Sequence, residues 1–289
     1  MNEPDPSVWP APVKLNLFLH VTGRRRDGYH LLQTVFQFLD YGDRLRFRLR
    51  DDGRIERPGV VAGLPENQDI TVRAARLLKD ETGCPAGVDI HLDKRLPMGG
   101  GLGGGSSDAA TTLVALDRLW ETGLDEDDLA ELGLRLGADV PVFVRGRAAW
   151  GEGVGEELTP VDLPEPWFLV VAPPVTVSTA EIFSDPALTR DTPRITIADF
   201  LSGRGRNDCE ALVRARHPMV GQVLDWLARR GVDGRMTGTG ACVFAAFPDR
   251  AAAEAMRELL PEVWPGFVAR GCNVSPLLRL VRRNGRAGH

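Results

Sequence analysis

Near the N-terminus Val13, Leu15, Leu17, Leu19 and Val21 alternate with Lys14, Asn16, Phe18 and His20, a period of two that predicts a strand with one buried face. Lys14 and Asn16 then project together from the other face. Leu45, Phe47 and Leu49 alternate with Arg44, Arg46, Arg48 and Arg50, which predicts a second half-buried strand with a solvated arginine face. Val88, Ile90 and Leu92 mark a third, running straight into Pro97-Met-Gly-Gly-Gly-Leu-Gly-Gly-Gly-Ser-Ser-Asp108. Behind that loop Ala109, Ala110, Leu113, Leu116 and Trp120 recur at helical spacing, with Ser106, Ser107 and Asp108 expected as cap and first turn. Leu129, Leu132 and Leu136 predict a second helix, opened by the acids Glu126, Asp127 and Asp128 and closed by Gly137, with Asp139 just beyond it. Further on, Trp167 to Ala172 reads as a fully buried strand. Helices are expected around Val223 to Leu227 and Ala251 to Leu260, flanking a turn at Thr237-Gly-Thr-Gly240 and a strand from Val243 to Phe247. The periodicity alone gives a mixed α and β chain.

At 289 residues the chain is long enough for two domains, and the run Pro160 to Pro166 is the expected junction between units 1–160 and 161–289. Hydrophobic residues at 43% against 26% charged residues describe a globular chain, not a disordered one. A net charge of -5 provides no global attraction for a polyphosphate backbone, so nucleic acid is not an expected partner. No uncharged apolar stretch reaches the roughly 18 residues of a membrane span, and the longest candidate, Pro166 to Ala180, is broken by Pro173 and Pro174. The first seven residues hold Glu3 and Asp5 without a basic or apolar run, so neither membrane nor signal peptide is expected and the location is read as cytoplasmic. Cys84, Cys209, Cys242 and Cys272 are scattered and form no CxxC, which argues against disulfides and zinc and for reduced structural thiols. His20, His91 and His217 have no metal-ligand spacing and read as structural or surface residues.

Six of the seven residues from Gly99 to Gly105 are glycine, far more than a structural turn needs. Bare backbone of this kind lets peptide N–H groups approach an anion, and the helix N-terminus behind it adds partial positive charge, so phosphate is the natural ligand. A flexible linker is the ordinary alternative, and the close bracketing by strand and helix argues against it. Gly99, Gly101 and Gly104 also match GxGxxG, but the acids that follow, Asp117 and Glu121, lie inside the helix rather than at the end of a second strand. Nor is this a GxxxxGK[ST] loop, because no lysine follows the last glycine.

Pro97 to Ser107 resembles the phosphate loop of the GHMP kinases, a family of small-molecule kinases. Pro12-Val-Lys-Leu-Asn16 and Thr237-Gly-Thr-Gly-Ala-Cys242 resemble two further family blocks. Lys14 to His20, Gly23 to His30, Leu136 to Phe143 and Asn207-Asp-Cys-Glu210 resemble the branch whose acceptor is a cytidine diphosphate-linked sugar alcohol. The likeness runs in order from Trp9 to Leu278, departing at Val13 where the family usually has alanine. It implies a two-domain α+β fold, with an N-terminal ribosomal-S5-like part, a C-terminal ferredoxin-like part and the active site between them. The implied activity is ATP-dependent phosphorylation of an alcohol group of that acceptor, in the non-mevalonate supply of isoprenoid precursors. ATP and Mg²⁺ are the implied cofactors, small molecules the partners, and a monomer or homodimer the state.

By the same resemblance Asp139 is the base facing the acceptor hydroxyl, and Lys14 orients it. A helix cap is the plainer role for Asp139, ahead of Pro141, and a surface charge the plainer one for Lys14. Pro97, Gly99, Gly101, Gly103, Gly104, Gly105, Ser106 and Ser107 would hold ATP phosphates, with no metal ligand assigned. Asn67 and Lys94 would contact the adenosine. Tyr29 and Phe183 would be stacking walls for cytosine, His30 its hydrogen-bond partner, and Asn16 and Thr179 contacts to the rest of the acceptor. Phe183 reads equally well as core. Three readings compete: a nicotinamide-dependent oxidoreductase, which needs an acid absent from its expected place, a GHMP kinase of a different small alcohol, and a non-catalytic binding protein, which would not be expected to keep both Lys14 and Asp139. The tail after Leu278, with Arg279, Arg282, Arg283 and Arg286, is expected to be a solvated, frayed end.

Overall fold

The computed structural model describes residues 7–59, 69–97 and 99–286. The first half runs β1 (Trp9–Arg24), β2 (His30–Arg50), β3 (Ile55–Glu56), α1 (Ile70–Thr82), β4 (Gly87–Asp93), α2 (Gly104–Trp120), α3 (Glu126–Leu136), α4 (Val140–Arg145), β5 (Ala149–Glu152) and β6 (Glu157–Pro160). The second half runs β7 (Trp167–Val171), α5 (Thr179–Ser184), α6 (Ile197–Leu201), α7 (Glu210–Arg216), α8 (Pro218–Ala228), β8 (Gly234–Met236), β9 (Val243–Phe247), α9 (Arg250–Glu258), β10 (Gly266–Cys272) and α10 (Pro276–Arg286). We propose that the boundary between units 1–160 and 161–289 lies in the run that joins β6 to β7.

Strand β2 is the spine. It pairs antiparallel with β1 along most of its length, with β4 through residues 44–50, with β5 through 34–36, and with β10 at Leu39↔Gly271 and Phe38↔Cys272. That last pairing continues the sheet into β7, β9 and β8, so one ten-stranded sheet crosses both halves. All pairings between named strands are antiparallel except β3 with β4, and the helices are grouped on the sheet's faces, an α+β arrangement. One core lies between α1, α2, α3 and the first half's strands, with Leu113, Leu116, Ile90 and Phe38 fully buried in it. A second lies under α7, α8 and α9, around Val213, Val223 and Val243. Between them Val13, Leu15 and Leu39 meet Phe168, Val170 and Phe244, apolar packing that joins the halves beneath the site.

Two expectations need correction. The arginine-bearing tail is not frayed: residues 276–286 form α10, and Leu277, Leu280 and Val281 pack into the first core. Those apolar positions recur at i, i+3 and i+4, which buries one stripe and leaves Arg279, Arg282 and Arg283 exposed off it. The cap of α2 is Gly103, left-handed at φ 72° and without a side-chain cap bond; Ser106 and Ser107 lie in the first turn as expected, with Asp108 just after it.

Candidate active site

The loop between β4 and α2 needs its glycines for two reasons. Gly99, Gly101 and Gly103 have φ of 70°, 75° and 72°, a region costly to residues with a Cβ. Close approach is the second: a Cβ on Gly101 would stand 2.3 Å from the Thr237 carbonyl oxygen, and one on Gly100 2.6 Å from Cys242 Sγ. Gly105 is different, with nothing within 4 Å of its Cβ position, so its backbone faces open space. By helix geometry the amides of Gly104, Gly105 and Ser106 have no carbonyl to bond within α2, and they form a donor cluster at its positive end.

Lys14, 3% exposed, stands on β1 against this loop; its amide donates to the Leu102 carbonyl at 3.2 Å. Its Nζ donates to Asn16 Oδ1 at 2.5 Å and lies 3.2 Å from Asp139 Oδ2. The predicted common face of Lys14 and Asn16 is therefore realised as a direct bond. Asn16 is itself fixed, with Nδ2 donating to Thr34 Oγ1 and its amide to Thr237 Oγ1, both at 2.9 Å. Asp139 occupies the N-cap position of α4 but makes no capping bond, and its carboxylate turns instead to Lys14. Its side chain is 37% exposed, open to a ligand in the cleft.

On the opposite flank Lys94 Nζ bonds Asp43 Oδ2 at 2.6 Å and Asp108 Oδ2 at 2.8 Å. Asp43 Oδ1 also accepts from the amides of Arg95 and Leu96 at 2.6 and 2.8 Å. Burial lowers the Lys94 pKa, but the charges of Asp108 and Asp43 outweigh it and leave it raised. Burial pushes the Asp108 carboxyl up to about 7 against the pull of Lys94, with the Asp43 charge adding to the rise. Asp108 Oδ1 is buried without a hydrogen-bond partner among the described residues. Asp43 carried no sequence signal beyond an acid where the alternation of β2 falters.

Between these flanks lies a cleft of about 610 Å³. Lys14, Asn16, Asp139, Lys94, Pro97, the loop glycines and Ser106 line it, and across from them stand Thr179 and Phe183. Ser107 does not line it: its side chain is buried and its hydroxyl donates to the Pro12 carbonyl at 2.6 Å, tying α2 to β1. Asn67 lies outside the described residues. Tyr29 and His30 also lie off the cleft lining. Tyr29 is 62% exposed in the loop between β1 and β2, whereas His30 is buried and stacks on Phe183 with centroids 5.0 Å apart. Arg190, which sequence reasoning missed, donates to His30 Nε2 at 3.0 Å and to the Phe183, Asp185 and Leu188 carbonyls. Burial first, then the Arg190 and Arg24 charges, lowers the His30 pKa, and because Nε2 accepts from Arg190 the neutral ring carries its proton on Nδ1.

Residues 69–147 match the model of the GHMP kinase N-terminal domain and residues 187–266 that of the GHMP kinase C-terminal domain. The chain is 62% identical over 270 residues to a 4-diphosphocytidyl-2-C-methyl-D-erythritol kinase of Pseudomonas aeruginosa (strain LESB58), covering 93% of this chain and 95% of that one. The chain belongs to the GHMP kinases. Another 4-diphosphocytidyl-2-C-methyl-D-erythritol kinase, from Halorhodospira halophila, is 59% identical over 285 residues, 98% of this GHMP kinase and 99% of the relative. The crystal structure of a 4-(cytidine 5'-diphospho)-2C-methyl-D-erythritol kinase matches with TM-score 0.80 at 32% identity, over 91% of this chain and 98% of that one. Mevalonate kinase of Methanococcus jannaschii shares the fold, with TM-score 0.66 at 18% identity over 92% and 98% of the two chains. The two-domain α+β architecture, ribosomal-S5-like then ferredoxin-like with the cleft between, is thus that of the GHMP kinases. Among the described residues of this GHMP kinase no three His, Cys, Asp or Glu side chains cluster as a metal site, and no helix is long and apolar enough to cross a membrane.

Proposed function

We infer that this GHMP kinase transfers the γ-phosphoryl group of ATP to the 2-hydroxyl of 4-diphosphocytidyl-2-C-methyl-D-erythritol, in the non-mevalonate route to isoprenoid precursors. The observation that carries this reading is the Lys14–Asp139 pair, 3.2 Å apart, opening on the same cleft as the glycine loop and the start of α2. Phosphoryl transfer needs in-line positioning, charge neutralisation and a group near the attacking hydroxyl. Asp139 accepts the hydroxyl proton, and Lys14 holds the Asp139 carboxylate in place and keeps it ionised. The amides of Gly104, Gly105 and Ser106 hold phosphate oxygens, within a loop shaped by Pro97, Gly99, Gly101 and Gly103. Ser107 supports them from behind.

Lys94 and Asn67 address the adenosine. Bare backbone at Gly105, with room beside it, fits a triphosphate. Mg²⁺ characteristically binds through few protein ligands and substrate phosphates, and the Ser106 hydroxyl, which lines the cleft, is the group we assign to it. When bound it neutralises charge on the transferring phosphates. For the acceptor, Tyr29 and Phe183 provide aromatic faces for cytosine, and His30, its Nε2 held by Arg190, offers Nδ1–H to the ring edge. Asn16 and Thr179 contact the methylerythritol and its phosphates.

An ADP-release assay across cytidine-linked and free small alcohols tests the reading. Turnover is expected with the cytidine substrate, and chelation of divalent cations should abolish it. Turnover of mevalonate or homoserine alone would refute it, and NAD(P)H consumption without ADP release would restore the dinucleotide alternative.

A further inference from the structure

The block Asn207-Asp-Cys-Glu210 has no part in the transfer step, yet it is tied to the cleft from behind. Asn207 Nδ2 donates to the carbonyls of Met236 at 2.9 Å and Gly238 at 2.8 Å, while its Oδ1 accepts from the Cys209 amide at 2.9 Å. Two carbonyls at one end and an N–H at the other fix the orientation of the amide. Glu210 Oε2 accepts from the Met236 amide at 3.2 Å. The block is anchored to β1, since Asp208 Oδ2 accepts from the Val21 amide and the Asp208 amide donates to the Leu19 carbonyl, both at 2.8 Å. The turn it holds presses in turn on the phosphate loop, with the Cys242 amide donating to the Gly100 carbonyl at 3.1 Å and Thr237 Oγ1 to that of Gly101 at 3.4 Å.

In a trans peptide the C=O and the following N–H point in opposite directions. With the Gly238 carbonyl drawn back onto Asn207, the Thr239 N–H is directed the other way, and Gly238 and Thr239 both line the cleft. That N–H has no hydrogen-bond partner among the described residues. Beside it the Thr239 hydroxyl lies 2.8 Å from that of Thr179, across the cleft wall. We propose that the Thr239 amide, with the paired Thr179 and Thr239 hydroxyls, forms a subsite for a phosphate oxygen of a bound substrate, and that Asn207 is the positioning residue that aims it. The proposal rests on the kinase reading only in taking the substrates to carry phosphate.

Asn207→Asp keeps the shape and the bond to Cys209 but sets an oxygen against two carbonyls, so the 238–239 peptide should turn. Calorimetric titration with cytidine 5'-diphosphate, ATP and unphosphorylated cytidine reads the consequence. Affinity for one diphosphate or triphosphate ligand should fall about tenfold to hundredfold, the range for a hydrogen bond to a charged group, with cytidine within twofold. Loss confined to cytidine diphosphate assigns the subsite to the acceptor, and loss confined to ATP assigns it to the nucleotide. A folded variant that binds both phosphorylated ligands as the parent does, or that loses cytidine to the same degree, overturns the proposal. Should Asn207→Asp fail to fold, the parent protein still decides: the Thr239 amide resonance must shift on adding cytidine diphosphate or ATP, and an unmoved resonance with both sinks the subsite. Binding is measured without turnover, so an inactive parent that binds through Thr239 would refute the kinase reading alone.

Discussion

Two lysine–aspartate clusters flank the same glycine loop and are built to opposite ends. Lys14 meets one carboxylate, Asp139, whose side chain is 37% exposed, while Lys94 is shared by Asp43 and Asp108, 0% and 3% exposed. A half-open carboxylate with a single ammonium partner keeps lone pairs for a ligand. Asp43, by contrast, spends both oxygens on Lys94 and on the amides of Arg95 and Leu96, at the last residues before the loop. The chemistry of the pair is the same; exposure and the count of bonds already made separate a reacting group from a scaffold.

The largest expected effect falls on the open cluster. Asp139→Asn keeps the shape but cannot take a proton, so kcat should drop by about 10²- to 10⁴-fold while calorimetric affinities for ATP and acceptor stay within a few-fold. If kcat also stays within a few-fold of the parent, the contrast collapses and Asp139 becomes a plain helix-cap position. Asp43→Asn should act the other way round. It weakens the hold on Lys94 while an amide oxygen still serves the backbone, costing about 1–3 kcal/mol of stability in urea unfolding. The KM for ATP should rise with kcat little changed, and a variant as stable as the parent would show that Asp43 is not the anchor.

Asp108 gives the smallest and most diagnostic change. Its pKa is raised from 3.8 to about 7, so the folded protein holds a proton there that the unfolded chain releases. Its contribution is fully present below pH 3.8 and is lost as pH rises through about 7. Asp108→Asn, permanently neutral, should therefore gain stability relative to the parent at pH 8 and match it more closely at pH 5. Urea midpoints at the two pH values check this, and a gain that is the same at both would place the Asp108 charge elsewhere than assumed. Histidine 30 offers a parallel comparison: its pKa is lowered chiefly by burial, so the neutral ring is favoured above pH 6.5 and stability from it is lost as pH falls below that value. His30→Gln should flatten the acid side of the stability profile.

Much of the site was legible because its chemistry is local. The alternation from Val13 to Val21 put Lys14 and Asn16 on one face, although that face is buried as well, with Lys14 and Asn16 3% and 4% exposed, where the pattern predicts one buried face alone; the glycine run announced its own backbone demands. What escaped was set by long-range packing. The stretch 33–39 of β2 is buried at every position, with β1, β5 and β10 paired along it, so it shows no period of two. In α10 the apolar stripe is interleaved with arginines, and charge density masked the helical period. Arg190 stands in a loop with no pattern at all, and only the fold brings it 3.0 Å from His30, 160 residues away.

The first core is closed by Cys272, Leu277, Leu280 and Val281, residues near the end of the chain. During synthesis at about 5–20 residues per second, the first half emerges from the ribosome roughly 6–24 s before this last layer exists. Until then the apolar surface that α10 covers stands open to water. Vectorial folding of the N-terminal half therefore stops one layer short, and the C-terminal helix acts as the closing stave of a domain begun more than a hundred residues earlier.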